Sequence, residues 1–142
     1  MSNYIGFSED SPVVLGTAER KTIQTIEESE DITIFIEEKK SKQCFGTTSI
    51  ESPSFLSITL ENGHFIECGP NQLFYVKDSD FVEAQSLSIG DVLVELDDDD
   101  VVITDIETTA ESKTLYSITF DSSDSINETP YFIGSEKCIR VK

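Results

Sequence analysis

A chain of 142 residues is long enough to bury a hydrophobic core without a metal or disulfide, and residues 1–142 are most simply one domain. Its 28 acidic and 10 basic residues give a formal charge of −18, which repels phosphate backbones and anionic lipid. Nucleic acids and membranes are therefore poor candidate partners, and because the sequence has no signal-like start and no long apolar run we expect no signal peptide and no transmembrane segment.

Short segments with period-2 alternation run along most of the chain. They are rich in Val, Ile, Thr, Phe and Tyr and are separated by Asn-Gly, Asp and Ser turns, which indicates an all-β fold of many short, mostly antiparallel strands. The predicted strands cover 32–36, 54–60, 64–68, 72–76, 91–96, 101–106, 114–120, 131–133 and 138–141. A short helical turn is expected near 81–87, and no internal repeat with a period of roughly 20 to 50 residues is evident.

Two turn regions carry specific expectations. Asn62 and Gly63 suit the positive φ values of a type I′ turn, so they are predicted to join 54–60 and 64–68 as a hairpin. The run Asp97–Asp100 lacks the alternating spacing and terminal Glu of an EF-hand loop, which favours a solvated hairpin tip over a weak calcium site. The segment 121–128 fails the same template and is predicted to be an exposed loop.

The three cysteines are odd in number and contain no Cys-x-x-Cys pair. Neither a disulfide framework nor a zinc site is indicated, and buried or partly buried reduced thiols are favoured at Cys44, Cys68 and Cys138. We predict no metal, no cofactor and no small-molecule substrate.

Three stretches, taken in chain order, resemble a known family. The first is GFSEDSPVVL at 6–15, followed by RKTIQTIEESEDITIF at 20–35. The second is ITLENGHFIECGPNQLFYV at 58–76, followed by FVEAQSLSIGDVLV at 81–94, and the third is LYSITFDSSDSINETPYFIGSEKCIRVK at 115–142. In order and spacing they resemble the opening, second and terminal blocks of the Hint domain, the family of inteins and hedgehog autoprocessing domains. The resemblance implies a single horseshoe-like β domain that covers nearly the whole chain.

The resemblance also implies where the family's chemistry would lie. The first-position nucleophile falls on Gly6, the Thr and His of the second block fall on Gly69 and Gln72, and the final His-Asn pair falls on Val141 and Lys142. A glycine has no nucleophile, a glutamine exchanges no proton near neutral pH, and a lysine forms no succinimide. The sequence therefore predicts that splicing and autocleavage are lost at these vestigial positions.

Other residues are conceivable substitutes. One class of inteins lacks the first nucleophile but needs a Trp, which this chain does not have, and a Cys after the terminal-block Tyr, where this chain has Ser117. Cys68 and His64 share one strand face but lie about 13 Å apart if extended. Residual self-cleavage through Cys68, Ser8 or Ser11 stays the alternative, and a trans-acting half that needs a second chain is disfavoured because every block is already present.

The expected function is a freestanding, catalytically inactive Hint-like domain that serves as a structural or protein-binding module. Only five residues precede Gly6 and none follows Lys142, so splicing would have almost no flanking segments to join. A partner would dock on a strand edge or on the surface left by the vacated pocket. Because inteins are common in phages and large viruses, a virus-encoded, cytoplasmic or virion-associated protein is implied. Framework positions of the family are kept at Asp10, Ile23, Ile26, Gly63, Leu87, Gly90, Asp91 and Tyr116.

The turn within CGPNQLFYV at 68–76 is expected only to connect two strands. On that view Gln72→His leaves folding nearly unchanged and restores no cleavage, because Gly6 still offers no nucleophile.

Overall fold

The protein is described from a computed structural model that covers residues 4–36, 38–120, 129–134 and 137–142. The predicted loop 121–128 lies outside the described residues. The strands, which account for nearly all regular structure there, are β1 (Pro12–Val14), β2 (Arg20–Thr22), β3 (Asp31–Ile36), β4 (Glu38–Gln43), β5 (Gly46–Ser52), β6 (Phe55–Leu60), β7 (Phe65–Cys68), β8 (Leu73–Tyr75), β9 (Phe81–Glu83), β10 (Val92–Val94), β11 (Asp100–Thr109), β12 (Lys113–Thr119), β13 (Tyr131–Ile133) and β14 (Ile139–Val141).

The strands form three antiparallel sheets, so the predicted all-β class is confirmed. The largest runs in the order β2-β1-β13-β14-β8-β9, with β3 joined to β13 and β4 joined to β3. A four-stranded sheet has the order β10-β11-β6-β7, and β12 pairs with β5 in a ribbon. Among the described residues, no helix has the length and hydrophobicity needed to span a membrane.

All nine predicted strands are present, but five strands were not predicted. These are β1, β2, β4, β5 and β9. The helical turn expected near 81–87 is half correct, because β9 takes the first three residues and a 3-10 helix follows at Ala84–Ser86.

The hairpin between β6 and β7 is confirmed, but its turn is not type I′. Thr59 pairs with Phe65, and the Leu60 N–H donates to the His64 carbonyl at 2.8 Å, which leaves a three-residue loop. Only Gly63 in this loop has a positive φ, +87°. This is a tight turn that closes with a left-handed glycine, the usual solution for a three-residue loop.

A repeat with a spacing of 61 residues underlies the fold. Three elements each have a counterpart that begins 61 positions later. The pairs are β1 and β8, β2 and β9, and the 3-10 helices Ile23–Thr25 and Ala84–Ser86. Hydrogen bonds repeat as well: the Ile23 N–H donates to the Ser11 carbonyl, and the Ala84 N–H donates to the Gln72 carbonyl, both at 2.8 Å. The spacing exceeds the range in which no repeat was evident, and the two halves share too few residue types to show it in sequence.

Phe7 anchors the start of the chain in the hydrophobic core. Its N–H and C=O exchange hydrogen bonds with Tyr116 at 2.9 and 2.8 Å, and it bridges Cys68 on its other side. Its ring meets Phe74 and Tyr131 edge-on, with centroids 6.1 and 6.3 Å away. This anchor fixes the position of the residue before it, Gly6.

The acidic run Asp97–Asp100 connects β10 to β11, as the hairpin prediction required. Three of its carboxylates face cations from elsewhere in the fold: Lys39 at 3.7 Å, Arg140 at 3.3 Å and Lys77 at 2.8 Å. Within the described part of the chain, no group of three or more potential ligands could hold a metal ion. These ion pairs give the run a structural explanation.

Candidate functional site

The chain before β1 lies extended against the turn 69–72. The Tyr4 N–H donates to the side-chain oxygen of Asn71 at 2.9 Å, and the Asn71 N–H donates to the Tyr4 carbonyl at 3.1 Å. Two residues further along, the Gly69 N–H donates to the Gly6 carbonyl at 3.0 Å. The turn therefore holds a strand-like segment in place, a larger role than connecting two strands.

Gln72 lies at the centre of this arrangement and is fully buried. Its side-chain oxygen accepts the Gly6 N–H at 3.0 Å, and its Nε2 donates to the carbonyls of Leu73 and Lys142, each at 3.0 Å. One donor partner and two acceptor partners fix the orientation of the amide. One neutral side chain thus bonds three backbone groups from three parts of the chain, and one of these, the Gly6 N–H, is buried.

The two glycines of the site leave no space for a side chain. A Cβ at Gly69 would overlap the Tyr4 carbonyl oxygen and would lie 2.7 Å from Cδ1 of Leu115. A Cβ at Gly6 would lie 2.8 Å from the Tyr116 carbonyl oxygen, at a φ of +132° that disfavours any other residue. The space expected to be vacated at Gly69 is therefore filled by the backbone of Tyr4.

The end of the chain completes the cluster. Val141 is fully buried and pairs with Phe74 of β8, and the Lys142 N–H donates to the Leu73 carbonyl at 3.2 Å. We call Gly6, Gly69, Gln72, Val141 and Lys142 the junction cluster. The structure brings together all five positions at which the resemblance locates the splicing groups.

Ser117 contacts the same site, and the sequence did not predict this. Its hydroxyl donates to the Ile5 carbonyl oxygen at 3.3 Å, on the peptide bond that joins Ile5 to Gly6. This is the only hydrogen bond that Ser117 Oγ makes with the described residues. In the sequence, Ser117 stood out only because it follows the terminal-block tyrosine and has no thiol. The same position could have predicted a contact with the peptide bond before Gly6.

The pair Cys68 and His64 is not assembled for catalysis. Cys68 is fully buried at the end of β7, and burial raises the pKa of its thiol far above the usual range. His64 is exposed before the start of the same strand, so four extended residues separate the two, about 13 Å. A thiol kept protonated and away from water is a poor nucleophile.

All three cysteines are buried, and burial raises the pKa of each thiol. We expect iodoacetamide at pH 8 to leave the native protein unmodified over an hour, because the thiolate is both scarce and inaccessible. In urea all three should be alkylated, as read from intact mass. Rapid single alkylation of native protein at Cys68 would contradict its placement.

Ser8 and Ser11 lie in a second site on the other side of Phe7. Their hydroxyls are 3.0 Å apart, and the Ser8 hydroxyl also donates to Asp10 at 3.2 Å. Both are nearly buried, and they line a cavity of about 260 Å³ together with His64. Neither serine hydrogen-bonds to a histidine nitrogen in the described structure, so no nucleophile and base pair is formed.

Comparison with known proteins was made by sequence and by structure. No family model matches the sequence, and no curated protein matches it. The structure is similar to a bacterial intein-like domain from Clostridium thermocellum, with 20% identity, a TM-score of 0.83, and 99% of this chain and 100% of that one covered.

Two further solved structures show the same likeness. They are the gp41-1 intein, with 16% identity, a TM-score of 0.76 and 98% of each chain covered, and a DnaB intein from Synechocystis sp., with 16% identity, a TM-score of 0.75, and 97% of this chain and 99% of that one covered. The likeness spans essentially the whole of each structure. The chain therefore has the all-β Hint fold of inteins and intein-like domains.

Proposed function

We propose that this chain is a catalytically inactive intein-like domain that acts as a structural or protein-binding module. The observation that carries the proposal is the junction cluster, in which hydrogen bonds and backbone fill the positions that the resemblance assigns to splicing groups. Gln72 joins Gly6 to Lys142, and the side-chain volume at Gly69 is taken by Tyr4. Packing supports the view that the site now stabilises the fold.

Chemistry argues in the same direction. Attack on the Ile5 carbonyl needs a nucleophile at Gly6, and the leaving amine needs a proton donor at Gln72. A buried carboxamide neither gives up nor takes up a proton near neutral pH, and its oxygen already accepts the Gly6 N–H. No cofactor is part of the proposal, and the charge of −18 disfavours nucleic acid and anionic membrane as partners.

The proposal extends to the cellular context that the resemblance implies. A protein partner and a phage- or virus-encoded, cytoplasmic or virion-associated protein are consistent with an inactive intein-like domain. Sequencing the genes beside this one tests the origin directly. Neighbours of cellular metabolism, with no phage or viral genes, would count against it.

Inactivity has a direct test. We expect the purified protein to keep its intact mass after a day with dithiothreitol or hydroxylamine at pH 7 to 8, because there is no ester or thioester for either reagent to trap. A splicing-competent intein precursor treated in parallel shows that the reagents work. A new fragment that begins at Gly6 would overturn the proposal.

One observation favours a second candidate, slow cleavage between Ile5 and Gly6 through Ser117. Its hydroxyl is 3.3 Å from the Ile5 carbonyl oxygen. The contact uses the hydroxyl as a donor, and no base among the described residues hydrogen-bonds to it, so attack is not activated. If the hydroxylamine experiment does yield a fragment, its loss in Ser117→Ala would establish this route.

A further inference from the structure

The 61-residue repeat gives the junction cluster a counterpart across the molecule. The Gly69 N–H donates to the Gly6 carbonyl at 3.0 Å, and 61 positions away the Ser8 N–H donates to the Glu67 carbonyl, also at 3.0 Å. The same relation matches Asn71 with Asp10, Gln72 with Ser11, and Tyr4 with Phe65. The cavity at Ser8 and Ser11 thus lies in the repeat's second version of the site, where β7 takes the place of the segment before β1.

The two versions differ in one respect. In the first, Tyr4 exchanges two hydrogen bonds with Asn71. In the second, no hydrogen bond within the described structure joins Phe65 to Asp10, and the cavity of about 260 Å³ lies beside both residues. Phe65 is 61% exposed. In the first version the segment and the turn are joined by the hydrogen bonds of Tyr4 and Asn71, whereas in the second no hydrogen bond among the described residues joins Phe65 to Asp10.

The backbone N–H and C=O of Phe65 lie on the edge of β7 opposite to β6. Because the Leu60 N–H donates to the His64 carbonyl, the antiparallel alternation places Phe65 and Glu67 at positions that do not hydrogen-bond to β6. Their N–H and C=O groups point to the opposite edge, where Ser8 takes the Glu67 carbonyl. The N–H and C=O of Phe65 meet no backbone partner on that edge among the described residues.

We propose that the edge of β7 at Phe65, with the cavity beside it, binds an extended basic segment of a partner protein. This inference rests on the proposed function, since it names the surface of the binding module. The partner strand would exchange hydrogen bonds with Phe65 and donate an N–H to the Asp10 carboxylate, as Tyr4 does with Asn71. One of its side chains would enter the cavity.

The size and walls of the cavity suit a side chain. At about 260 Å³ it is smaller than the roughly 300 to 1,000 Å³ of pockets that hold drug-sized ligands. Pro12, Leu60, Ile66 and Ile133 supply an apolar lining, and Ser11 supplies a hydroxyl. An aliphatic side chain of an extended peptide fits this lining, whereas a larger free ligand does not.

The net charge of the chain, −18, favours a basic partner. At the cavity itself Lys137 also lines the wall and Lys113 pairs with Glu67 at 3.4 Å, so Asp10 is the carboxylate left to meet a cation. An incoming cationic strand is steered towards such a surface. A second copy of this chain is repelled by the same charge, so edge-to-edge pairing of two copies is disfavoured.

The test uses an acetylated and amidated peptide, Lys-Val-Thr-Val-Lys-Val, titrated into the full chain and followed by backbone amide NMR. We expect saturable shifts centred on Phe65, Glu67 and Ser11, at micromolar to submillimolar affinity. Phe65→Pro removes the outward N–H at an edge position that tolerates proline, and should weaken binding by roughly tenfold or more. The matched variant Phe65→Ala keeps the N–H and should stay within about threefold.

Two peptide controls keep the test independent of variant folding. The peptide with Glu in place of Lys, and one N-methylated along one edge, should both bind at least roughly tenfold more weakly. Shifts that map elsewhere, equal binding of the N-methylated peptide, no saturable binding at millimolar peptide, or concentration-dependent dimers in place of binding would each overturn the inference. None of these results alters the intact-mass test of inactivity, so the two proposals fail separately.

Discussion

Replacing Gly69 with alanine is expected to lower the free energy of unfolding by about 3 kcal/mol or more, among the largest losses for a single methyl group. The new Cβ would overlap the Tyr4 carbonyl and press on Leu115. Backbone cannot yield as a flexible side chain can, so the extended segment must leave the turn or the turn must distort. Gly69→Thr, which adds a larger side chain at the same place, should cost more. Urea unfolding followed by circular dichroism measures both.

The matched control is Gly90→Ala. Gly90 has a φ of +96°, and no described atom lies within 4 Å of the place that a Cβ would take, so alanine there meets backbone strain but no overlap. A loss of about 1 to 2 kcal/mol is expected from that strain alone. Equal losses at the two glycines would mean that space does not limit Gly69. Hydrogen exchange should also show the amides of Gly6 and Asn71 exposed in Gly69→Ala and protected in Gly90→Ala.

Burial distinguishes strands that the sequence predicted, such as β6 and β12, from β4, which it did not predict. Alternating aliphatic residues predicted β6 and β12 because one face of each enters the core. β4 reads EKKSKQ and is almost entirely exposed, so only its backbone pairing with β3 makes it a strand. β1, β2 and β9 have three residues each, and strands as short as these were predicted mostly within longer apolar runs, as β8 was at 72–76 and β10 at 91–96. Such segments become strands because they pair with neighbouring strands in the fold, and the local sequence pattern does not show that pairing.

The site shows the same division. Motif order and spacing singled out the five positions of the junction cluster, and the structure brings these positions together. What the sequence could not show is that Gly6 and Gln72, 66 residues apart, are joined by a hydrogen bond, because such contacts depend on the tertiary fold. Nor could the sequence show that the backbone of Tyr4 occupies the space that a side chain at position 69 would need. The chemistry of single residues was readable, and their mutual packing was not.

That packing changes the expectation for Gln72→His. The sequence predicted nearly unchanged folding, but Gln72 is fully buried and makes three hydrogen bonds with backbone. A neutral imidazole has one donor and one acceptor, so at least one of the three partners loses its bond. We now expect a loss of about 1 to 3 kcal/mol. Cleavage should still be absent, because Gly6 has no nucleophile.

Gln72→Leu is expected to have the larger effect, about 2 to 4 kcal/mol, because it keeps the volume but leaves the buried Gly6 N–H without a partner and removes one hydrogen bond from each of the carbonyls of Leu73 and Lys142. Gln85→Leu is the matched control, since Gln85 is exposed, and should change stability by no more than about 0.5 kcal/mol. We expect the urea midpoint to fall least in Gln85→Leu, more in Gln72→His and most in Gln72→Leu. The reason is that the number of hydrogen bonds lost by the backbone rises in the same order. If Gln72→Leu unfolded with the wild-type midpoint, the amide would be dispensable, and the junction cluster would need another explanation for its order.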